Sequence, residues 1–316
     1  MRAVFILFSF IVSVFLLGSL ISPWVYDLMQ LGKGSTFEIF GDKPFAYLAD
    51  QTFGKISNRC FMLVAILGIY PMLKSLNSFT KKELGYALPR KEFMKDAGKG
   101  LSFGLLSMLV LAVLLVVLNV RFLEDDASTQ KAIGTLLKML PGALIIALIE
   151  ETFFRGIILN SMSRTLKPFM VIILSSFIFA SIHFLRNKTN GAFADPQWYT
   201  GFTYLGTSLA NFTDPEFIGS WLTLFVCGIF LSIVSLHYGN ISRCLGIHCG
   251  WILILSSVKK ITDDTPDKET SLYWMIGNYD KVTGYLAFFI ISLICSLYWF
   301  FLIRNKKVEK KDSQYD

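Results

Sequence analysis

The chain has few of the residues from which disulfides and metal clusters are built. Its five cysteines include no Cys-x-x-Cys pair, and they fall in or beside apolar runs, as expected for small core residues. The sequence His-Glu-x-x-His is absent, which excludes a conventional zincin helix. No internal repeat, low-complexity tract or loop long enough for a separate folded domain is visible, so a single domain is expected.

Apolar sequence is what the chain has in abundance. Hydrophobic residues make up 53% of it, the mean hydropathy is +0.54, and there are 29 phenylalanines, which indicates a membrane protein rather than a soluble domain. A spanning helix needs about 20 apolar residues. Runs that approach this length lie at 3–22, 60–77, 101–120, 141–160, 168–186, 222–237, 244–258 and 283–303. We therefore predict an all-α polytopic membrane protein with about eight transmembrane helices.

The charges around these runs predict an orientation. The first run is longer than the roughly 7–15 residues of a signal-peptide core and lacks an Ala-x-Ala-like site, so we expect a retained anchor. Basic residues concentrate in the 78–100 loop and at 304–311, and such segments remain on the cytoplasmic side. We expect a membrane-embedded domain over residues 1–303 and a tail over 304–316, with both termini cytoplasmic and a bacterial inner membrane as the location.

The net charge of +7 is the kind of value that also occurs in nucleic-acid-binding proteins. In this chain the basic residues lie beside spanning segments, where anionic lipid headgroups are the nearer partner. We therefore expect membrane lipid, and no nucleic acid, as a partner.

Glutamate, arginine or histidine side chains occur inside three of the apolar runs, before the last residue of each, although a charged side chain costs about 2.5–3.5 kcal/mol near a bilayer centre. Glu150, Glu151 and Arg155 share one run, and His183 and His248 lie in two later ones. Such residues indicate a functional site that faces the protein interior or a water-filled cavity. This pattern makes the five residues the candidates for chemistry.

The spacing within the first of these runs separates the two glutamates. Glu151 and Arg155 are four residues apart, so on a helix they share a face and can pair. Glu150 has only apolar neighbours one turn away, so its partners must come from other helices. Desolvation favours proton uptake by such a carboxylate, which could then accept a proton from water near neutral pH.

The chain has three histidines, of which His183 and His248 lie inside apolar runs and His237 is the last residue of another. His183 and His248, brought from separate helices to Glu150, would suffice for hydrolysis, because an imidazole can orient water, bind a metal or donate to an oxyanion. We predict that the heavy atoms of these three side chains lie within about 8 Å of one another. The alternative is that each histidine only bridges helices by hydrogen bonds, which is the role expected for His237.

At these residues the chain resembles the CPBP (Abi) family of intramembrane proteases, over roughly residues 138–258. This family includes the CAAX prenyl endopeptidase and proteins of bacteriocin processing and self-immunity. Its motifs are matched by Glu150, Glu151, Arg155 and Gly156, then by Phe179 and His183, and then by His248 within 244–251. Each motif is weak alone, but the order and spacing of the three are specific.

The resemblance implies an endopeptidase that cuts a membrane-associated protein or peptide. Glu150 would be the general base, His183 would orient the water or bind a metal, and His248 would stabilise the oxyanion or supply another ligand. Zn²⁺ held by these three residues and a metal-free reaction both remain open. Supporting roles would fall to Glu151, Arg155 and Phe179. Nothing in the chain itself implies a prenylated substrate.

Two other functions fit parts of the pattern. Many members of the family have Asn four residues after the last His, where this chain has Ile252. This difference favours a catalytically silent membrane scaffold or immunity protein, in which the polar residues form only a structural network. A proton-coupled transporter would also use a buried carboxylate and histidine, but the chain lacks the repeats typical of that class.

Overall fold

The computed structural model describes residues 2–31, 51–185, 193, 195–264, 272–277 and 280–312. These residues are mainly helical. The α-helices are α1 (Arg2–Leu31), α2 (Phe53–Leu76), α3 (Arg90–Val117), α4 (Thr129–Glu151), α5 (Asn160–Ser163), α6 (Pro168–Phe184), α7 (Thr200–Ala210), α8 (Pro215–Tyr238), α9 (Ser242–Ile261) and α10 (Tyr285–Asp312). A π-helix, Thr152–Leu159, joins α4 to α5 without a break. Two short strands, β1 (Arg121–Leu123) and β2 (Thr262–Asp264), pair antiparallel.

The helices confirm the predicted fold class. Within the described residues, six helical segments are long and apolar enough to cross a membrane, in α1, α2, α3, the 129–163 segment, α8 and α9. The apolar helix α6 and the apolar part of α10, Tyr285–Phe301, are shorter. Each of the predicted runs falls on one of these helices. Helix α10 continues to Asp312, and residues 313–316 of the predicted tail lie outside the described part.

The chain divides into two compact units, and the expected single membrane domain stays a prediction. The first unit comprises Met1–Phe79 and Ser181–Asp214. In it α1 packs against α2 and α7. Backbones approach closely there, because a Cβ added at Gly201 would lie 1.9 Å from the carbonyl oxygen of Ser19. The second unit comprises Thr80–Ala180 and Pro215–Asp316.

In the second unit, α3 and α9 pack through glycines. A Cβ added at Gly100 would lie 2.2 Å from the carbonyl oxygen of Arg243, and one at Gly246 would lie 1.9 Å from that of Ala97. Gly104 and Gly250 are in similarly close contact one turn further along each helix. Small residues spaced by four let two helix backbones approach in a membrane protein. The position of α9 is therefore set by backbone contacts.

This packing predicts opposite effects for two neighbouring glycines of α3. A Cβ at Gly98 meets nothing within 4 Å, so Gly98→Ala should stabilise the helix by about 0.5–1 kcal/mol. Gly100→Ala should lower the free energy of unfolding by about 1–3 kcal/mol, because the new methyl group meets backbone that cannot move aside. Thermal unfolding of both variants in detergent checks the pair. Equal stability of the two would contradict the close approach.

An apolar cluster joins α4 to α9. It contains the buried side chains of Ala143 and Ala147 from α4 and of Cys249 and Leu253 from α9. Ile252 packs against this cluster and is itself partly buried. Cys249 thus has the core position expected for the cysteines. The cluster places the end of α4, where the two glutamates lie, beside the turn of α9 that carries a histidine.

The far end of α9 is fixed by a buried arginine. Arg121 of β1 is 4% exposed. It donates from Nε to the Thr262 hydroxyl (2.6 Å) and from Nη1 to Asp264 Oδ1 (2.6 Å). Lys281 Nζ lies 2.6 Å from the second oxygen of Asp264. These bonds tie the chain that leaves α9 to the strand that follows α3.

Candidate functional site

The Glu-Glu-x-x-x-Arg sequence lies where the helix changes its type. Helix α4 ends at Glu151, and the wider π-helix begins at Thr152 and includes Arg155. Runs of π-helix are rare and occur frequently at functional sites. Sequence analysis predicted one continuous apolar helix here and gave no signal of the π-helix.

Glu151 and Arg155 form the pair that their spacing predicts. Arg155 Nη1 donates to Glu151 Oε1 at 2.8 Å, with the two side chains 1% and 0% exposed. The Arg155 guanidinium carbon also lies 4.6 Å from the centroid of the Phe179 ring, a cation–π geometry. Each charge is thereby compensated in a place that water does not reach. Removing either partner of such a pair is strongly destabilising, because it leaves the other charge buried without compensation.

His248 lies between the two glutamates. Its Nδ1 is 2.8 Å from Glu151 Oε1, and its Nε2 is 3.8 Å from Glu150 Oε2. With the Glu151 carboxylate as acceptor, Nδ1–H is the donor, and Nε2 is the ring nitrogen on the side of Glu150. Side-chain exposures of 25% for Glu150 and 10% for His248 contrast with the fully buried Glu151. Glu150 is thus the more exposed of the two carboxylates, although its Oε2, the oxygen nearest His248, is buried.

Phe179 of α6 contacts both the arginine and the histidine. It is 2% exposed, and its ring meets that of His248 edge to face at a centroid distance of 6.1 Å. Phe154 packs on it in the same manner at 4.9 Å. The ring therefore fills the space beside the Glu151–Arg155 pair and limits the rotation of the imidazole.

His183 lies one turn after Phe179, in the last turn of α6, and is partly buried. The boundary between the two units lies within α6, between Ala180 and Ser181. His183 therefore belongs to the first unit and Phe179 to the second. The convergence of His183 with Glu150 and His248 stays a prediction. His237, at the end of α8, is exposed, with its ring 4.7 Å from that of Tyr238.

The donor atoms of this site do not form a three-ligand metal centre. Across the part of the chain that the structure describes, no group of three or more His, Cys, Asp or Glu side chains is placed to hold a metal ion. Glu150 and His248 do face one another, but Glu151 already accepts from Arg155 and His248. Catalytic zinc is usually held by three protein ligands, so we assign no step of the reaction to a metal.

The described residues thus define a polytopic all-α membrane protein with a buried Glu–Arg pair and an imidazole held between consecutive carboxylates. Residues 132–254 match the family model of the type II CAAX prenyl endopeptidase Rce1-like proteins. This range is therefore similar to the Rce1-like proteins, and the resemblance to the CPBP membrane proteases is confirmed over it. The family implies a protease. No curated protein and no solved structure matches the chain.

Proposed function

We propose that the chain is an intramembrane endopeptidase that hydrolyses a peptide bond of a membrane-associated protein or peptide, with Glu150 activating the water. The observation that supports this most is the imidazole of His248, which donates to Glu151 on one side and faces Glu150 on the other. A purely structural histidine would have no need for a second, more accessible carboxylate. The family description supports the same class of reaction.

The space between Glu150 and His248 suits a water molecule. A distance of 3.8 Å between Glu150 Oε2 and His248 Nε2 is long for a direct hydrogen bond. A water that donates to both atoms at about 2.8 Å fits across this distance. Glu150 would take one proton of this water while the water oxygen attacks the carbonyl carbon of the scissile bond.

The second step returns the proton. Collapse of the tetrahedral intermediate breaks the C–N bond, and the proton held by Glu150 passes to the leaving amine, so that water is consumed and two peptides are released. Because Nδ1–H donates to Glu151, Nε2 of neutral His248 accepts and is suited to holding the water. We therefore assign stabilisation of the oxyanion to His183, which is expected to join the site from α6.

The substrate would enter this site from the membrane. The family description names CAAX prenyl endopeptidases, so a prenylated C-terminal peptide is the first substrate class to test. Other membrane-associated peptides form the second class, because no side chain of the described site is specific for a prenyl group.

The proposal is tested by comparing the membrane proteomes of cells that carry the wild-type chain or Glu150→Gln. Gln has the shape of Glu but cannot take the proton, so uncleaved precursors should accumulate. Glu92→Gln is the matched control, because Glu92 is an exposed residue in the first turn of α3. Identical proteomes for wild type and a folded Glu150→Gln would overturn the proposal.

The second candidate is a catalytically silent membrane scaffold. Ile252, which follows His248 by one turn, packs against the apolar cluster between α4 and α9 instead of offering a polar group. In this alternative the Glu–Arg–His contacts only join helices. The same comparison separates the two functions, since a scaffold would leave no uncleaved precursors.

A further inference from the structure

A short segment outside every motif contacts the helix of the glutamates. The 84–86 segment (residues Leu84, Gly85 and Tyr86) precedes α3 in the second unit. The hydroxyl oxygen of Tyr86 lies 2.6 Å from Thr152 Oγ1, at the first residue of the π-helix. The carbonyl oxygen of Leu84 would be 2.4 Å from a Cβ at Gly156, one turn further on.

The direction of the Tyr86–Thr152 hydrogen bond follows from the other partner of Thr152. The Thr152 hydroxyl has one hydrogen, which it donates to the carbonyl oxygen of Leu148 at 2.6 Å. Tyr86 is therefore the donor. Thr152 directly follows Glu150 and Glu151, so this bond fixes the backbone at the point where the α-helix becomes a π-helix.

The same segment also contacts the helix of the histidine. The carbonyl oxygen of Gly85 accepts from the backbone N–H of Ile241 at 3.1 Å, and Ile241 immediately precedes α9. Leu84 and Tyr86 thus contact the π-helix that follows the glutamates, and Gly85 contacts the start of the helix that carries His248. The distance between Glu150 and His248 depends on the relative position of these two helices.

The segment itself is held firmly. The Tyr86 ring stacks on that of Phe93 in α3 at a centroid distance of 5.5 Å. The turn before it is closed by the Thr80 backbone N–H and hydroxyl, which donate to Glu83 Oε2 at 3.0 and 2.8 Å and hold the pKa of this carboxyl below its usual range. A rigid support of this kind is what a site needs to keep its reacting groups in place.

We infer that Tyr86 is a positioning residue, which through Thr152 sets the placement of Glu150 and Glu151 against His248. The inference rests on the proposed function and adds a residue that lies outside the matched 132–254 range. Small displacements of reacting groups lower the rate without changing substrate binding. The loss of the Tyr86 hydroxyl should therefore be seen in kcat rather than in KM.

The test compares Tyr86→Phe, which removes the donor of the Tyr86–Thr152 hydrogen bond, with Thr152→Val, which removes its acceptor. Both should lower kcat by about tenfold, with KM and the melting temperature close to wild type. The double variant should be no slower than the slower single variant, because the two changes remove the same interaction. Tyr199→Phe is the control, since Tyr199 is 51% exposed in the first unit. If Tyr86→Phe does not fold, Thr152→Val carries the test.

A second measurement needs no substrate. The three histidines make ¹⁵N-histidine NMR simple to assign, with His248→Gln identifying the signal of His248. Tyr86→Phe should shift the imidazole ¹⁵N signals of His248, because the hydrogen bond to Glu151 changes, and Tyr199→Phe should not. Unchanged kcat and unchanged His248 signals in Tyr86→Phe would overturn the inference. An active Glu150→Gln would instead overturn the proposed function, while the NMR result would still decide whether Tyr86 positions the imidazole.

Discussion

Replacement of His248 by alanine is expected to slow peptide-bond cleavage by about 10²-fold, the cost of misplacing a reacting group by about 1 Å. The imidazole is the group that faces both Glu150 and Glu151, so its loss removes the second partner of the attacking water. The rate is measured with purified protein and a fluorogenic peptide derived from an accumulated precursor.

His237→Ala provides the matched control for this prediction. His237 is exposed at the end of α8, and its removal should leave the rate within about twofold of wild type, since exposed substitutions away from a site have small effects. Equal rates for His248→Ala and His237→Ala in folded protein would show that His248 takes no part in the reaction.

Arg155→Ala is expected to have the largest effect on folding. It would leave Glu151 buried without its cation, and breaking a buried ion pair in this way costs about 3–5 kcal/mol. This is a large part of the roughly 5–15 kcal/mol by which a typical domain is stable, so the yield of folded protein in the membrane should fall sharply. Size-exclusion profiles in detergent and thermal unfolding measure this loss.

Arg164→Ala is the control for the same type of residue at the surface. Arg164 Nη2 lies 3.2 Å from Glu83 Oε1, and its side chain is 41% exposed, so its loss should cost at most about 1 kcal/mol. A fully expressed, normally folded Arg155→Ala that had lost only activity would contradict a supporting role. It would indicate that Arg155 acts on the substrate.

The sequence predicts most reliably what depends on local spacing. Apolar runs located the spanning helices, because the length needed to cross a bilayer is a property of each run alone. The i,i+4 distance between Glu151 and Arg155 predicted their pair for the same reason. The ends of helices were less predictable: α3 begins at Arg90, well before the apolar run at 101–120, because a helix can continue through charged residues into the interface.

Contacts between helices were only partly predictable. The sequence indicated that Glu150 needs a partner from another helix, but not that His248 donates to Glu151 while it faces Glu150. The glycines of α3 and α9 were a signal that could have been used, since both pairs show the Gly-x-x-x-Gly spacing. Tyr86 has no such signal, because its role depends on a contact between residues 66 positions apart.

The glycine contacts between α3 and α9 mean that the two sides of the site are held in place by different kinds of contact. Sliding or rotation of α9 would drive backbone atoms of Gly246 and Gly250 into α3, and Arg121 anchors the other end of α9. Helix α4 instead meets α9 through apolar side chains, those of Ala143, Ala147, Cys249 and Leu253. The helix that carries the imidazole is therefore placed by contacts between backbones, while the helix that carries the carboxylates is placed by side-chain packing and by the Tyr86–Thr152 hydrogen bond.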